Sequence, residues 1–120
     1  MRLSEELRTR TKAYASAIIG LYVQLPKERE EVRVLGRQLL RSGTSVAAHA
    51  REESRARSES EFCSKLDGLL QESDESQLWL ELLREDCGVD GMNMDKLLGE
   101  TNELLAIFTS IVSKLRKAAA

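Results

Sequence analysis

His49 is the chain's single histidine, and Glu52 and Glu53 follow it at i+3 and i+4. On a helix that spacing brings an imidazole beside two carboxylates, the start of a metal site. A di-iron bundle needs two Glu-x-x-His units with further carboxylates, and a zinc site needs more nitrogen or sulfur ligands than this chain offers. The expected setting is therefore a partly exposed histidine beside carboxylates, with no metal. Cys63 and Cys87 are the two cysteines. Their spacing is not that of metal ligands, and no base or helix N-terminus stands ready to activate either thiol. They read as free thiols in or near a core. A glycine-rich phosphate loop and a nucleophile elbow are both missing from the sequence. No catalytic, cofactor-binding or metal-binding residues are assigned, and the expectation is a protein that is not an enzyme and takes no small-molecule substrate.

The second chemical signal is arginine. Arg29, Arg33, Arg37 and Arg41 recur every four residues, and Arg51, Arg55 and Arg57 continue the series. On a helix they form one drifting stripe. A guanidinium fork donates two hydrogen bonds at once, which suits phosphate. Glu30, Glu31, Glu52 and Glu53 lie among these arginines, and no aromatic platform for stacked bases interleaves them. The charges favour a salt-bridged or intersubunit face, with RNA or DNA contact through Arg29, Arg33, Arg37, Arg51, Arg55 and Arg57 as the alternative. The net charge of -2 conceals an asymmetry: residues 27–57 sum to +3 and residues 58–90 to -8.

These residues need long helices to hold them. The chain has 120 residues, 42% hydrophobic and 32% charged, with 4% aromatic, which fits one soluble helical domain (1–120) with a core of Leu, Ile, Val and Ala. No run reaches membrane-span length, and the charged opening MRLSEELRTR is unlike a signal peptide, so a cytoplasmic location is expected. Apolar spacing predicts helices over about 4–25, 27–56, 58–87 and 93–117. Ser4 and Ser58 read as N-caps, the latter in a Ser-x-x-Glu box. Pro26 ends the first helix, and Gly88–Gly91 forms a turn. Asn93 can cap the fourth helix, whose alanine tail is expected to fray. Short connections predict an all-α, antiparallel up-down-up-down four-helix bundle.

Within that pattern the seams carry odd residues. The second helix steps Val32, Leu35, Leu39, Gly43, Val46, Ala50, and Gly36 lies one heptad before Gly43. A mid-helix glycine costs roughly 0.8–1 kcal/mol against alanine, so another backbone is expected to come close. The third steps Phe62, Leu66, Leu69, Ser73, Ser76, Leu80, Leu83, with two serines on buried spacing. The fourth steps Leu97, Thr101, Leu104, Phe108, Ile111, Leu115. A reversal centred on Arg57 puts Arg41 opposite Ser73, with Glu72 and Glu75 beside it. A polar layer is expected there, Arg41 bonding a carboxylate while the Ser and Thr hydroxyls satisfy the rest, with the same groups facing solvent as the alternative; the layer's use would be register more than stability.

The segments RQLLRSGTSVAAHAREESRARSESEF and KLDGLLQESDESQLWLELL resemble the bacterial four-helix bundle proteins named for the 23S ribosomal RNA intervening sequence. Arg41, Ser42, Gly43, Thr44, Ser45 and Val46 match the first motif, with Glu52, Ser58 and Phe62 after it. Glu72, Glu75, Ser76 and Trp79 through Leu83 match the second. His49 stands where the family usually has Asn, Ala50 where this branch has Tyr, and Gln71 where Lys is frequent. The resemblance implies a homopentameric ring with no catalytic activity. It also implies kinship with the accessory proteins of diversity-generating retroelements, which bind a reverse transcriptase and nucleic acid through basic surfaces. Small residues such as Gly36, Gly43, Ala47 and Ala48 would let subunits approach, and they serve packing within one chain equally well.

Overall fold

The computed structural model describes residues 3–91 and 93–119. Four helices follow in order: α1 Glu5–Gln24, α2 Glu30–Glu53, α3 Glu59–Glu85 and α4 Met94–Ala119. Together they form a rod with extents of 48 × 22 × 21 Å. Each start has a local cause. The Leu7 amide donates to Ser4 Oγ and the Glu61 amide to Ser58 Oγ, both at 3.1 Å. Acidic residues occupy the first turns of all four helices, where they meet the positive end of the helix dipole. α2 begins three residues later than the spacing predicts, because the Arg29 amide closes a turn onto the Pro26 carbonyl at 3.3 Å. Gly88 and Gly91 take φ of 69°, and Asn93 takes 64°, so the α3–α4 connection turns through the left-handed region. The alanine tail is helical as far as Ala119; Ala120 lies outside the described residues.

The seams become the core. Every α3 position in the predicted series is buried, from Phe62 to Leu83, serines included. In α4, Leu97, Thr101, Leu104 and Phe108 are buried as expected. Val112 then replaces Ile111, because a straight helix at 3.6 residues per turn drifts off a strict heptad. In α1, Tyr14, Ile18, Leu21 and Leu25 are buried, whereas Ala17 is exposed and Thr11 and Ala15 take inner positions. The reason lies with α4. The α1–α2, α2–α3 and α3–α4 pairs pack along their lengths, but α1 and α4 barely touch.

The two α2 glycines serve α1. A Cβ on Gly43 would lie 2.8–2.9 Å from the Ile18 branch carbons, and one on Gly36 would lie 2.7 Å from Leu25 Cδ1. Their lost side chains thus bring α1 against α2 inside one chain, the intramolecular use of the small residues. Gly68 does the same for His49, whose ring would stand 3.1 Å from a Cβ there.

Candidate functional site

Pairs of residues fix how α2 and α3 face each other. Ser42 meets Ser76, His49 meets Gly68 and Glu52 meets Lys65. The reversal is therefore centred just past Ser58, about two residues later than Arg57, which moves each residue's partner by about one helical turn. The cause is a continued tight turn after α2: the Arg55 and Ala56 amides bond the Glu52 and Glu53 carbonyls at 3.0 Å each.

Arg41 reaches two carboxylates of α3. Nη1 lies 3.0 Å from Glu72 Oε2, and Nη2 lies 2.7 Å from Glu75 Oε1. The pairing predicted from sequence is present, but at the surface, with the Arg41 side chain 52% exposed. It belongs to a rim, and water screens such a pair. Thr44 and Ser45 do not join a layer either. Their hydroxyls donate back to the Leu40 and Arg41 carbonyls of their own helix at 2.7 Å. Ser73 likewise donates to the Leu69 carbonyl at 2.9 Å.

The buried layer uses other residues. Ser42 and Ser76 hydroxyls lie 2.8 Å apart, and those of Tyr14 and Thr101 lie 2.7 Å apart. The first pair joins α2 to α3 and the second joins α1 to α4, so the two pairs take one member from each helix. Ser76 donates to the Glu72 carbonyl at 2.9 Å and Thr101 to the Leu97 carbonyl at 2.7 Å, so each pair ends in a backbone acceptor. Burial pushes the Tyr14 phenol above its ordinary pKa, against the opposing effect of its Thr101 hydrogen bond. Sequence spacing placed Ser76 and Thr101 on buried seams but carried no sign that they share a level. A double-mutant cycle on Ser42→Ala and Ser76→Ala is expected to give a coupling of about 1 kcal/mol in chemical denaturation. Strictly additive losses would contradict the bond.

Two further buried or clamped groups escaped the sequence reading. Glu53 is fully buried and accepts the Leu3 amide at 2.9 Å, tying the start of the chain to the end of α2. Its signal was present: it extends the α2 seam by three residues beyond Ala50. Arg10 bridges from α1 to α4, with Nε 2.8 Å from Glu100 Oε2, Nη2 2.7 Å from Glu100 Oε1, and Nη2 2.7 Å from Glu103. The Arg10 hydrogen bond holds the Glu100 carboxyl below its usual pKa, and Glu100 raises that of Arg10. A depressed carboxyl contributes stability that is full above its unfolded pKa and lost as pH falls through its folded one. Arg10→Met is thus expected to flatten the loss of thermal stability on acidification below roughly pH 4.5. Equal acid sensitivity in both proteins would contradict this clamp.

The arginine stripe divides into used and unused members. Arg29 donates to the Cys87 carbonyl at 2.8 Å and pairs with Glu31, and Arg33 pairs with Glu30. Glu31 is held below its usual pKa by its own backbone amide and then by Arg29. Glu52 pairs with Lys65 at 2.7 Å, which lowers its pKa and raises that of the lysine. Arg37, Arg51, Arg55 and Arg57 are exposed and, among the described residues, enter no ion pair. Three of these four gather where α2 gives way to α3. Trp79 is half-buried against the core, with its indole N–H lacking an acceptor among the described residues. His49 is half-buried, and its Nδ1 likewise lacks a partner. Among the described residues no group of three or more His, Cys, Asp or Glu is placed to hold a metal. Among them, no helix is long and apolar enough to cross a membrane.

The motif residues thus converge on one interhelical surface, Arg41 with Glu72 and Glu75 over Ser42 and Ser76. The family model for the 23S rRNA-intervening sequence protein matches residues 5–110, which includes that surface and all four helices. The chain belongs to this family. A crystal structure from Bacteroides thetaiotaomicron, of a protein of unknown function from the S23 ribosomal protein family, is similar at 30% identity and a TM-score of 0.78. That similarity covers 88% of this chain and 96% of the other. No curated protein matches. The four-helix architecture is therefore shared with that structure, and the glycine contacts explain how α1 and α2 approach so closely in this chain.

Proposed function

We propose that this chain is the subunit of a non-enzymatic scaffold, an antiparallel up-down-up-down bundle that assembles laterally into a homopentameric ring in the cytoplasm. The observation that carries this is the outer face of α1. Residues 13–26 contain no charged side chain, in a chain that is 32% charged. On that face Ile19 is 46% and Val23 68% exposed, beside exposed Ala13, Ala17 and Gly20. About three helical turns without charge at a surface are costly in water and favourable against another subunit. Five copies is the number the family resemblance implies, and RNA or an RNA-handling protein is the partner class.

A second reading, an accessory protein that binds nucleic acid alongside a reverse transcriptase, is favoured by Arg37, Arg51, Arg55 and Arg57, whose guanidinium groups are left unneutralised. Filter binding of RNA and duplex DNA at two salt concentrations tests it. Arg51→Glu/Arg55→Glu/Arg57→Glu is expected to abolish binding at moderate salt and to lower the salt slope by about one for each phosphate no longer neutralised. Arg29→Glu/Arg33→Glu, at residues already paired, is expected to change it little. Binding indifferent to salt and to the triple reversal would end this reading.

A further inference from the structure

The gap between α1 and α4 is a groove of about 860 Å³. Its α1 wall is Ala13, Ala17 and Gly20 with the edge of Leu21, and its α4 wall carries Gly99, Glu100 and Glu103. The helices meet there through the Arg10 clamp and the Tyr14–Thr101 bond. Gly20 and Gly99 have nothing within 4 Å of an added Cβ, unlike Gly36, Gly43 and Gly68. Two mid-helix glycines therefore cost about 1 kcal/mol each with no close contact among the described residues to offset it.

We propose that this groove receives the outer face of α2 from a second copy. The inference rests on the assembly reading above and specifies which surfaces meet. Charge selects the occupant. Between Glu31 and Glu52, α2 holds Arg33, Arg37, Arg41 and Arg51 and no acidic residue. Its outer middle is small and uncharged, with Thr44, Ser45 and Ala47 half-buried and Ala48 exposed around the inward-facing Val46. The small stretch from Ser42 to Ala50 rises about 12 Å, which fits the roughly 17 Å of the α1 wall from Ala13 to Gln24. Arginines then lie at both ends of the contact. Opposite them stand Asp95, 85% exposed, and Glu103, 68% exposed. Both already touch an arginine of their own chain, Arg84 and Arg10, and keep open faces for another. The outer face of α3 cannot take this place, since Asp67, Asp74 and Glu85 would meet the same acids. A second α1 face would bring no charge to them. Because groove and α2 face are different surfaces, the contact is heterologous and propagates around a ring.

The test uses the full chain with Cys63→Ser and Cys87→Ala, in which Gly20→Cys and Ala48→Cys are introduced singly and together and joined by a short bis-maleimide. The expected result is a covalent ladder from the double variant. Mixed single variants should give dimers, and neither single variant alone should give any. Gly20→Trp, which fills the groove, is expected to reduce the scattering mass to that of one chain while leaving helix content unchanged. An oligomeric parent with no ladder, or with Gly20→Cys dimers alone, overturns the groove assignment and leaves assembly standing. So does an oligomeric Gly20→Trp. A monomeric parent overturns both.

Discussion

Gly43→Leu is expected to destabilise the fold by about 3 kcal/mol. Gly43 sits mid-helix, where leucine would ordinarily gain nearly 1 kcal/mol in propensity. Here the new Cβ would fall under 3 Å from two branch carbons of Ile18, which is fully buried and cannot swing away. α1 must shift outward or the leucine must leave its rotamer, and either loosens packing along the whole α1–α2 seam. Adding Ile18→Ala makes room and should recover part of the loss, because total volume is nearly restored. Urea denaturation measures both. A Gly43→Leu protein as stable as the parent would mean that α1 does not rest on that glycine.

Ile19→Glu/Val23→Glu is expected to leave the bundle intact and abolish its assembly. Both positions are exposed in the single chain, so a glutamate there stays hydrated and the stability of the isolated fold changes by less than about 0.5 kcal/mol. In a lateral contact the same carboxylates would be buried without partners. A cost of about 3 kcal/mol at each interface corresponds to an association constant lower on the order of 100-fold. Scattering mass and circular dichroism, measured on one sample, separate the two effects. Retained assembly would remove the α1 face from the interface.

Much of this molecule was legible before its structure, and the failures have physical causes. The α3 series from Phe62 to Leu83 could be read residue by residue because each position repeats at heptad spacing, serines included. The Arg41 contact with Glu72 and Glu75 was found despite a register one turn in error, since an arginine spans about a turn. The error came from the connection, where two hydrogen-bonded turns after Glu53 delay the reversal in a way composition does not reveal. The two hydroxyl pairs were half visible. Ser76 and Thr101 broke apolar seams, but their meeting with Tyr14 and Ser42 depends on the relative levels of four helices. The opening between α1 and α4 was not legible at all. Ala17 fits the seam spacing as well as Ala15 does, and only the placement of α4 decides which one is covered. The arginine stripe looked uniform in sequence, and its division into paired and free members rests on neighbours such as Cys87, 58 residues away from Arg29.

One quantity bears on the scaffold reading more directly than any substitution: the mass of the untouched protein in solution. Each chain weighs 13.5 kDa. Multi-angle light scattering at micromolar concentration should return five times that value, about 68 kDa, constant across the elution peak. A mass of 13.5 kDa across the same range would contradict the scaffold, and the uncharged α1 face would then need another explanation.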